Sequence, residues 1–232
     1  MKLLFFFLFY IISLNNLKSQ DNMKVIYVYD ALCGWCYGFS EVMNQFSEKY
    51  KNTTDFEVIS GGMITGNRIG PIGEVAPYIS WAYKDVEKAT GVKFGEKFLN
   101  ETLKDGKAIF TSIPPAIAMS VFKTLMPDES IKFASKLQKA IYYDGIEPEK
   151  LEAYSAIAKS FGANEQQFLE AMKDTSNLKL AQNDFQKSKE LGVKGFPSVF
   201  VLANGTYHKI SSGYVSLKVL ETSFLAVKSK LK

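Results

Sequence analysis

Lys24-Val25-Ile26-Tyr27-Val28-Tyr29-Asp30-Ala31-Leu32-Cys33-Gly34-Trp35-Cys36 is the stretch on which the fold turns. Val25 to Tyr29 are β-branched or aromatic without a break, the composition of a buried strand. Beyond the cysteines, Phe39, Met43, Phe46 and Tyr50 recur at helical spacing, so a helix of about four turns should open at the motif. Phe56 to Ile59 reads as a second short strand, ended by Gly61-Gly62. The expected unit is strand, helix, strand, with the cysteines at the first junction.

Cys33 and Cys36 are the only cysteines of the chain. A structural disulfide stabilises most when it closes a long loop of the unfolded chain, and a bridge across two residues closes almost none. The pair is better placed for chemistry. At a helix start Cys33 falls near the N-cap and Cys36 one turn on, on the same face, at a separation that suits a disulfide. The unpaired N–H groups of the first turn and the helix dipole face the Cys33 sulfur and favour the nucleophilic thiolate. Cys33 is thus the candidate nucleophile, and the more buried Cys36 the candidate resolving thiol. Zinc needs four ligands and His208 is the only histidine, expected to be an exposed strand residue. A c-type haem motif needs histidine where Tyr37 stands. A purely structural CxxC bridge stays open at this level.

Upstream, Lys2 precedes an apolar run from Leu3 to Leu14, broken by Asn15, Asn16 and Lys18. That is the pattern of a secretory signal peptide, too short to span a bilayer. Residues 1–19 are expected to be removed near Ser19, leaving Gln20 or Asp21 first; an uncleaved N-terminal anchor is the competing reading. No later stretch reaches transmembrane length. An exported protein lives where disulfides persist.

Downstream, the periodicity from Met63 to about Thr175 is helical. Tyr78, Trp81, Ala82 and Val86 define one helix, after a loop marked by Pro71, Gly73 and Pro77. Phe94, Phe98 and Leu99 mark another segment. Thr111-Ser112-Ile113-Pro114 reads as a hydroxyl-capped helix start. Ile131, Ala134, Leu137 and Ile141 share one face, as do Leu151, Tyr154, Ala158 and Phe161. A short helix carries Phe168, Leu169 and Met172, and a longer one runs from Leu180 to Leu191. Pro197 to Leu202 is a strand, Asn204-Gly205 a hairpin turn, and Tyr207 to Ile210 the return strand. Leu217, Leu220, Phe224, Val227 and Leu231 make a C-terminal amphipathic helix. The order β-α-β, helical block, α-β-β-α is that of an α/β thioredoxin-like fold with a central helical insertion. Residues 20–62 and 176–232 form the expected thioredoxin-like domain and 63–175 the insertion.

The formal net charge of +4 excludes little. Nearly all the cations are lysines interleaved with Asp and Glu, the look of a solvated face, and no basic stripe points to nucleic acid.

Gly195-Phe196-Pro197 precedes the apolar strand. A proline opening a strand needs no function. The functional reading is a cis peptide between Phe196 and Pro197 that faces the cysteines and leaves the Phe196 backbone free to pair with a substrate. Phe196 and Pro197, with Gly34 and Trp35 of the motif, are the candidate substrate-contacting residues.

These residues carry a resemblance. Tyr29 to Gly38, Gly61-Gly62, Ser112-Ile113-Pro114-Pro115-Ala116, Leu137-Gln138-Lys139-Ala140 and Leu191 to Pro197 resemble, in that order, the DsbA superfamily of thiol–disulfide oxidoreductases, in particular its FrnE-like predicted protein disulfide isomerase group. The likeness spans essentially the whole chain after the leader. It implies a thioredoxin fold with a helical insertion, a redox-active Cys33–Cys36 disulfide and a cis Pro197. Two departures stand out. The best-known members carry a histidine at the position of Trp35, and many thioredoxin-like proteins bury an acid at the position of Tyr27. Asp30, closer to the cysteines, is the candidate proton acceptor, against a plain cap or turn role.

The expected function is an exported enzyme exchanging disulfides with protein thiols. Its partners would be exported protein thiols or disulfides and an upstream redox protein, with no nucleic acid and no membrane span once the leader is gone. No dissociable cofactor and no metal is implied, since the electrons rest on two sulfurs. The alternative is a peptide-binding, chaperone-like module with little redox turnover; a third reading, a small-molecule isomerase or glutathione-using relative, commonly has serine in place of the first cysteine. Tyr78, Trp81 and Tyr83 are expected to pack internally. Gln138 either lines the groove near the cysteines or is a solvated helix residue.

Overall fold

The computed structural model describes residues 23–231; the expected leader and its cleavage point lie outside the described residues. β1 (Lys24–Tyr29) leads through a four-residue turn into α1 (Gly34–Tyr50), and β2 (Asp55–Ser60) follows. After β3 (Gly70–Pro71) come α2 (Ala76–Thr90), a π-helical turn over Lys97–Thr102, α3 (Leu103–Asp105) and β4 (Ile109–Phe110). Then α4 (Ile113–Leu125), α5 (Ser130–Tyr142), α6 (Leu151–Lys159), α7 (Glu165–Lys173) and α8 (Thr175–Glu190) succeed one another. The chain closes with β5 (Ser198–Ala203), β6 (Thr206–Ser212) and α9 (Leu217–Ser229). No described helix is long and apolar enough to cross a membrane.

The main sheet has the order β2-β1-β5-β6. β1 pairs parallel with β2 (Tyr27 opposite Val58) and antiparallel with β5 (Tyr27 opposite Val199). A central strand covered on both faces must be apolar on both, which explains the unbroken run Val25–Tyr29. Val25, Tyr27 and Tyr29 enter the large core with α1, while Ile26 and Val28 meet Ile59 and Phe200 on the other face. Each fully buried Val or Ile is worth about 1.5–3 kcal/mol. At the hairpin, Asn204 (φ 48°) and Gly205 (φ 75°) both take the left-handed conformation that a tight two-residue turn requires.

Lys123 of α4 bolts the helical block to the sheet: its Nζ donates to Asp184 Oδ2 of α8 at 2.6 Å and to the Val58 carbonyl of β2 at 2.9 Å. Asp184 in turn accepts the Ser60 N–H at 3.1 Å.

Several expectations need correcting. The middle segment is not wholly helical, since β3 and β4 pair as a two-stranded ribbon. α8 begins at Thr175 rather than Leu180, because the Asp174 carboxylate caps it by accepting the Ser176 N–H at 2.8 Å. Ser112 does not cap α4 with its side chain; its hydroxyl is spent elsewhere, and Thr111 Oγ1 accepts the Ile113 N–H at 3.3 Å instead. Tyr78 and Trp81 are 58% and 56% exposed, packed edge-on against each other rather than into the core. His208 is half-buried on β6, opposite Val201.

Candidate active site

Cys33 is the N-cap of α1, and its sulfur accepts the Cys36 N–H at 3.3 Å. That is the bond a capping side chain makes, formed here by sulfur. The three residues before it are turned back by a bond from the Cys33 N–H to the Asp30 carbonyl (3.1 Å). Both cysteines are free thiols. Cys33 keeps 6% of its surface exposed and Cys36 none. The helix geometry therefore gives the pair unequal access from one face of one helix.

The Phe196–Pro197 peptide bond is cis. The Cys33 thiol donates to the Phe196 carbonyl at 3.5 Å, so the loop before β5 sits directly against the outer sulfur. Phe196 is half-buried and Pro197 buried. The reason for Gly61-Gly62 becomes visible at this contact. A Cβ on Gly61 would lie 2.1 Å from the Phe196 ring, and one on Gly62 (φ 68°) 2.7 Å from the Phe185 ring. Only glycine admits those rings, which the motif alone did not reveal.

Beside Cys33 opens a cleft of about 250 Å³ between the start of α1 and the helical block, lined among others by Trp35, Ile79, Tyr83, Phe94, Phe110 and Tyr142. Gly34 lines it too, and no charged side chain is among its lining residues. Trp35 stands at 36% exposure, its ring 6.5 Å from that of Tyr214. Tyr78 and Tyr83 both line this cleft; Tyr83 also packs against the core as expected, its ring 5.6 Å from that of Phe94.

Asp30 is buried at 2% exposure. Its Oδ1 accepts the Leu32 N–H and the Ser112 hydroxyl, both at 2.9 Å, and its Oδ2 accepts the Met63 N–H at 2.7 Å. Burial pushes its carboxyl above the ordinary range, against the opposing pull of these donors. Gln138 is fully buried, not solvated, and donates from Nε2 to the Asp30 carbonyl at 3.3 Å. The Tyr142 hydroxyl donates to the Leu32 carbonyl. Residues 63–142 thus grip Asp30–Leu32 through four side-chain or backbone contacts. Ser112 and Tyr142 were missed at the sequence level; the Ser112-Ile113-Pro114 motif was a signal, but it reads equally as a helix start.

Burial pushes the Cys36 thiol well above its usual range; the adjoining Cys33 adds to this and the Asp30 backbone N–H opposes it. Burial likewise raises Tyr37, to about 12. The nearest lysines in sequence are engaged elsewhere: Lys24 with Glu57 and Lys49 with Glu221. Chemically, the site offers one accessible sulfur at an uncharged cleft and one sealed, protonated sulfur behind it.

A family model described as thioredoxin matches residues 27–221. No curated protein matches the chain significantly. Among solved structures, a candidate protein disulfide isomerase from Nitrosomonas europaea is similar at 20% identity, covering 91% of this chain and 100% of that one, with a TM-score of 0.78. The cytosolic disulfide reductase DsbM from Pseudomonas aeruginosa is similar at 23% identity, covering 90% and 100%, with a TM-score of 0.76. The oxidoreductase DsbA from Xylella fastidiosa is similar at 10% identity, covering 91% and 88%, with a TM-score of 0.57. At these identities the likeness establishes the fold.

Proposed function

The chain belongs to the thioredoxin family, and from that premise we propose that it is an exported thiol–disulfide oxidoreductase acting on protein thiols and disulfides. In the reducing direction, the Cys33 thiolate attacks one sulfur of a client disulfide. The client S–S bond breaks, its electron pair leaves on the second client sulfur, and that sulfur takes a proton. Cys36 then attacks Cys33, forming the Cys33–Cys36 disulfide and releasing the first client sulfur as a thiol. Oxidation of a client dithiol runs the same steps backwards. The uncharged cleft accommodates apolar side chains flanking the client cysteine, and the Phe196 backbone offers a partner to the client main chain.

The observation that carries this reading is the inequality of the sulfurs. Cys33 lies at the cleft, 3.5 Å from the Phe196 carbonyl, while Cys36 is sealed one turn behind. The test is exchange between the protein and a disulfide-bonded peptide with aromatic residues beside its cysteines. Wild type should accelerate the exchange, and Cys33→Ser should lose at least about a hundredfold. Exchange no faster than with free dithiothreitol would overturn the proposal.

Export rests on Lys2 and the Leu3–Leu14 run. Protein recovered outside the cytoplasm should begin at Gln20 or Asp21 by mass spectrometry; full-length protein confined to the cytoplasm would refute export.

A further inference from the structure

Tyr27 and Tyr29 are each 1% exposed, and neither hydroxyl has a hydrogen-bond partner. Leaving a phenol hydroxyl buried and unpaired is costly, and phenylalanine would bury the same ring without that cost. Such a group calls for an acceptor that exists only in another state of the molecule.

For Tyr27 that acceptor is at hand. Its side chain enters the same buried core as Cys36. Its ring lies 6.1 Å from that of Phe39, which shares the i, i+3 face of α1 with Cys36. The Tyr27 hydroxyl, in that shared core, has no hydrogen-bond partner while Cys36 is a neutral thiol. A thiol is a weak acceptor, whereas a thiolate is a strong one.

The reaction creates that thiolate away from bulk water, where the Asp30 backbone N–H favours the charge and the unpaired Tyr27 hydroxyl is free to add a second donor. Cys36 is fully buried, so no bulk water reaches its sulfur. The Asp30 side chain adds nothing to this, since a carboxylate repels a thiolate, and its oxygens already hold Leu32, Ser112 and Met63. We infer that the Tyr27 hydroxyl is a preformed donor for the Cys36 thiolate, lowering the barrier to resolution of the mixed disulfide; the inference rests on the disulfide-exchange reading above. Over that step the Cys36 S–H proton ends on the departing client sulfur, and the Tyr27 O–H turns onto the Cys36 sulfur as its charge develops. The Cys36–Cys33 bond forms, the Cys33–client bond breaks with its electron pair on the client sulfur, and the client leaves as a thiol. One proton is lost and one gained, and Tyr27 keeps its own throughout.

The experiment separates the two chemical steps. Reduced protein is mixed with a symmetrical peptide disulfide, and acid-quenched samples resolve mixed-disulfide formation from release of the second peptide thiol. Tyr27→Phe should form the mixed disulfide within about twofold of the wild-type rate but resolve it about ten- to a hundredfold more slowly, the worth of one hydrogen bond to a charged group. Its thermal stability should equal or exceed that of wild type, because the unpaired hydroxyl is gone; a loss of stability would mean a structural role and overturn the inference. Tyr29→Phe, which removes an equally buried and unpaired hydroxyl, is the control and should slow resolution less than Tyr27→Phe. Unchanged resolution in Tyr27→Phe, or equal slowing in both variants, also overturns it. If wild type forms no mixed disulfide at all, the oxidoreductase reading itself fails and takes the inference with it.

Discussion

The sulfur of Cys33 and the carbonyl oxygen of Phe196 stand 3.5 Å apart although 163 residues separate them. The contact joins the first helix of the fold to the loop that opens β5, and Gly61 backs it from the end of β2 by giving the Phe196 ring its seat.

Gly61→Ala should therefore disturb the site without touching a sulfur. The added methyl would meet the Phe196 ring at 2.1 Å, so ring and loop must shift. We expect a loss of about 1–3 kcal/mol in stability and about tenfold or more in exchange rate. Chemical denaturation and peptide exchange would measure both, and combining the change with Phe196→Ala should remove most of the stability cost. A fully active and stable Gly61→Ala would contradict the role given to this contact.

The unequal burial of the cysteines sets an order of attack. Cys36→Ser should accumulate mixed disulfides through Cys33, visible on non-reducing gels, and Cys33→Ser should trap far less. Equal trapping would reverse or dissolve the assignment.

Asp30 gives a pH dependence whose sign follows from its environment. Its folded-state pKa lies above the ordinary 3.8, chiefly through burial. Between the ordinary and the raised value the folded protein holds a proton that the unfolded chain has lost, so this group's contribution to stability falls as pH rises through that window. Asn cannot titrate. The stability difference, wild type minus Asp30→Asn, should thus be largest at acid pH and smaller at pH 8, by urea denaturation at each pH. A difference that grows with pH would show the carboxyl to be lowered instead.

Trp35 stands where a histidine would supply a positive charge, and the lining of the cleft supplies none. A potential less oxidising than the about −120 mV of DsbA is expected on equilibration with glutathione. Trp35→His should move it in the oxidising direction, by about 30 mV for each tenfold gain in stability of the reduced form. A wild-type value at or above that of DsbA would mean that backbone donors alone suffice.

Much of this was legible along the chain. The run Val25–Tyr29, the paired cysteines and the helical spacing of Phe39, Met43 and Phe46 are local signals, and each element formed where its pattern lies. Asn204-Gly205 announced its hairpin for the same reason: a two-residue turn demands positive φ, and those residues tolerate it. Tyr78 and Trp81 lie exposed against the expectation from their spacing, because helical spacing tells which residues share a face, but not whether anything covers that face.

The amino-acid sequence by itself determined the strand–CxxC–helix unit, the order of the elements and the inequality of the two sulfurs, because all three follow from backbone geometry within a few residues. Only the tertiary structure decided what Asp30, Gly61, Ser112, Gln138 and Tyr142 do. Along the chain Asp30 reads as a base, a cap or a turn residue; that its carboxylate also anchors three donors follows only from the fold, where Ser112, 82 residues away, gives its hydroxyl to Asp30 and not to the cap of α4. Gln138 and Tyr142 reach the same turn from α5, across 108 and 110 residues. Periodicity records that a side chain is buried; the partner it meets depends on how the helices pack over the sheet, which no local pattern encodes.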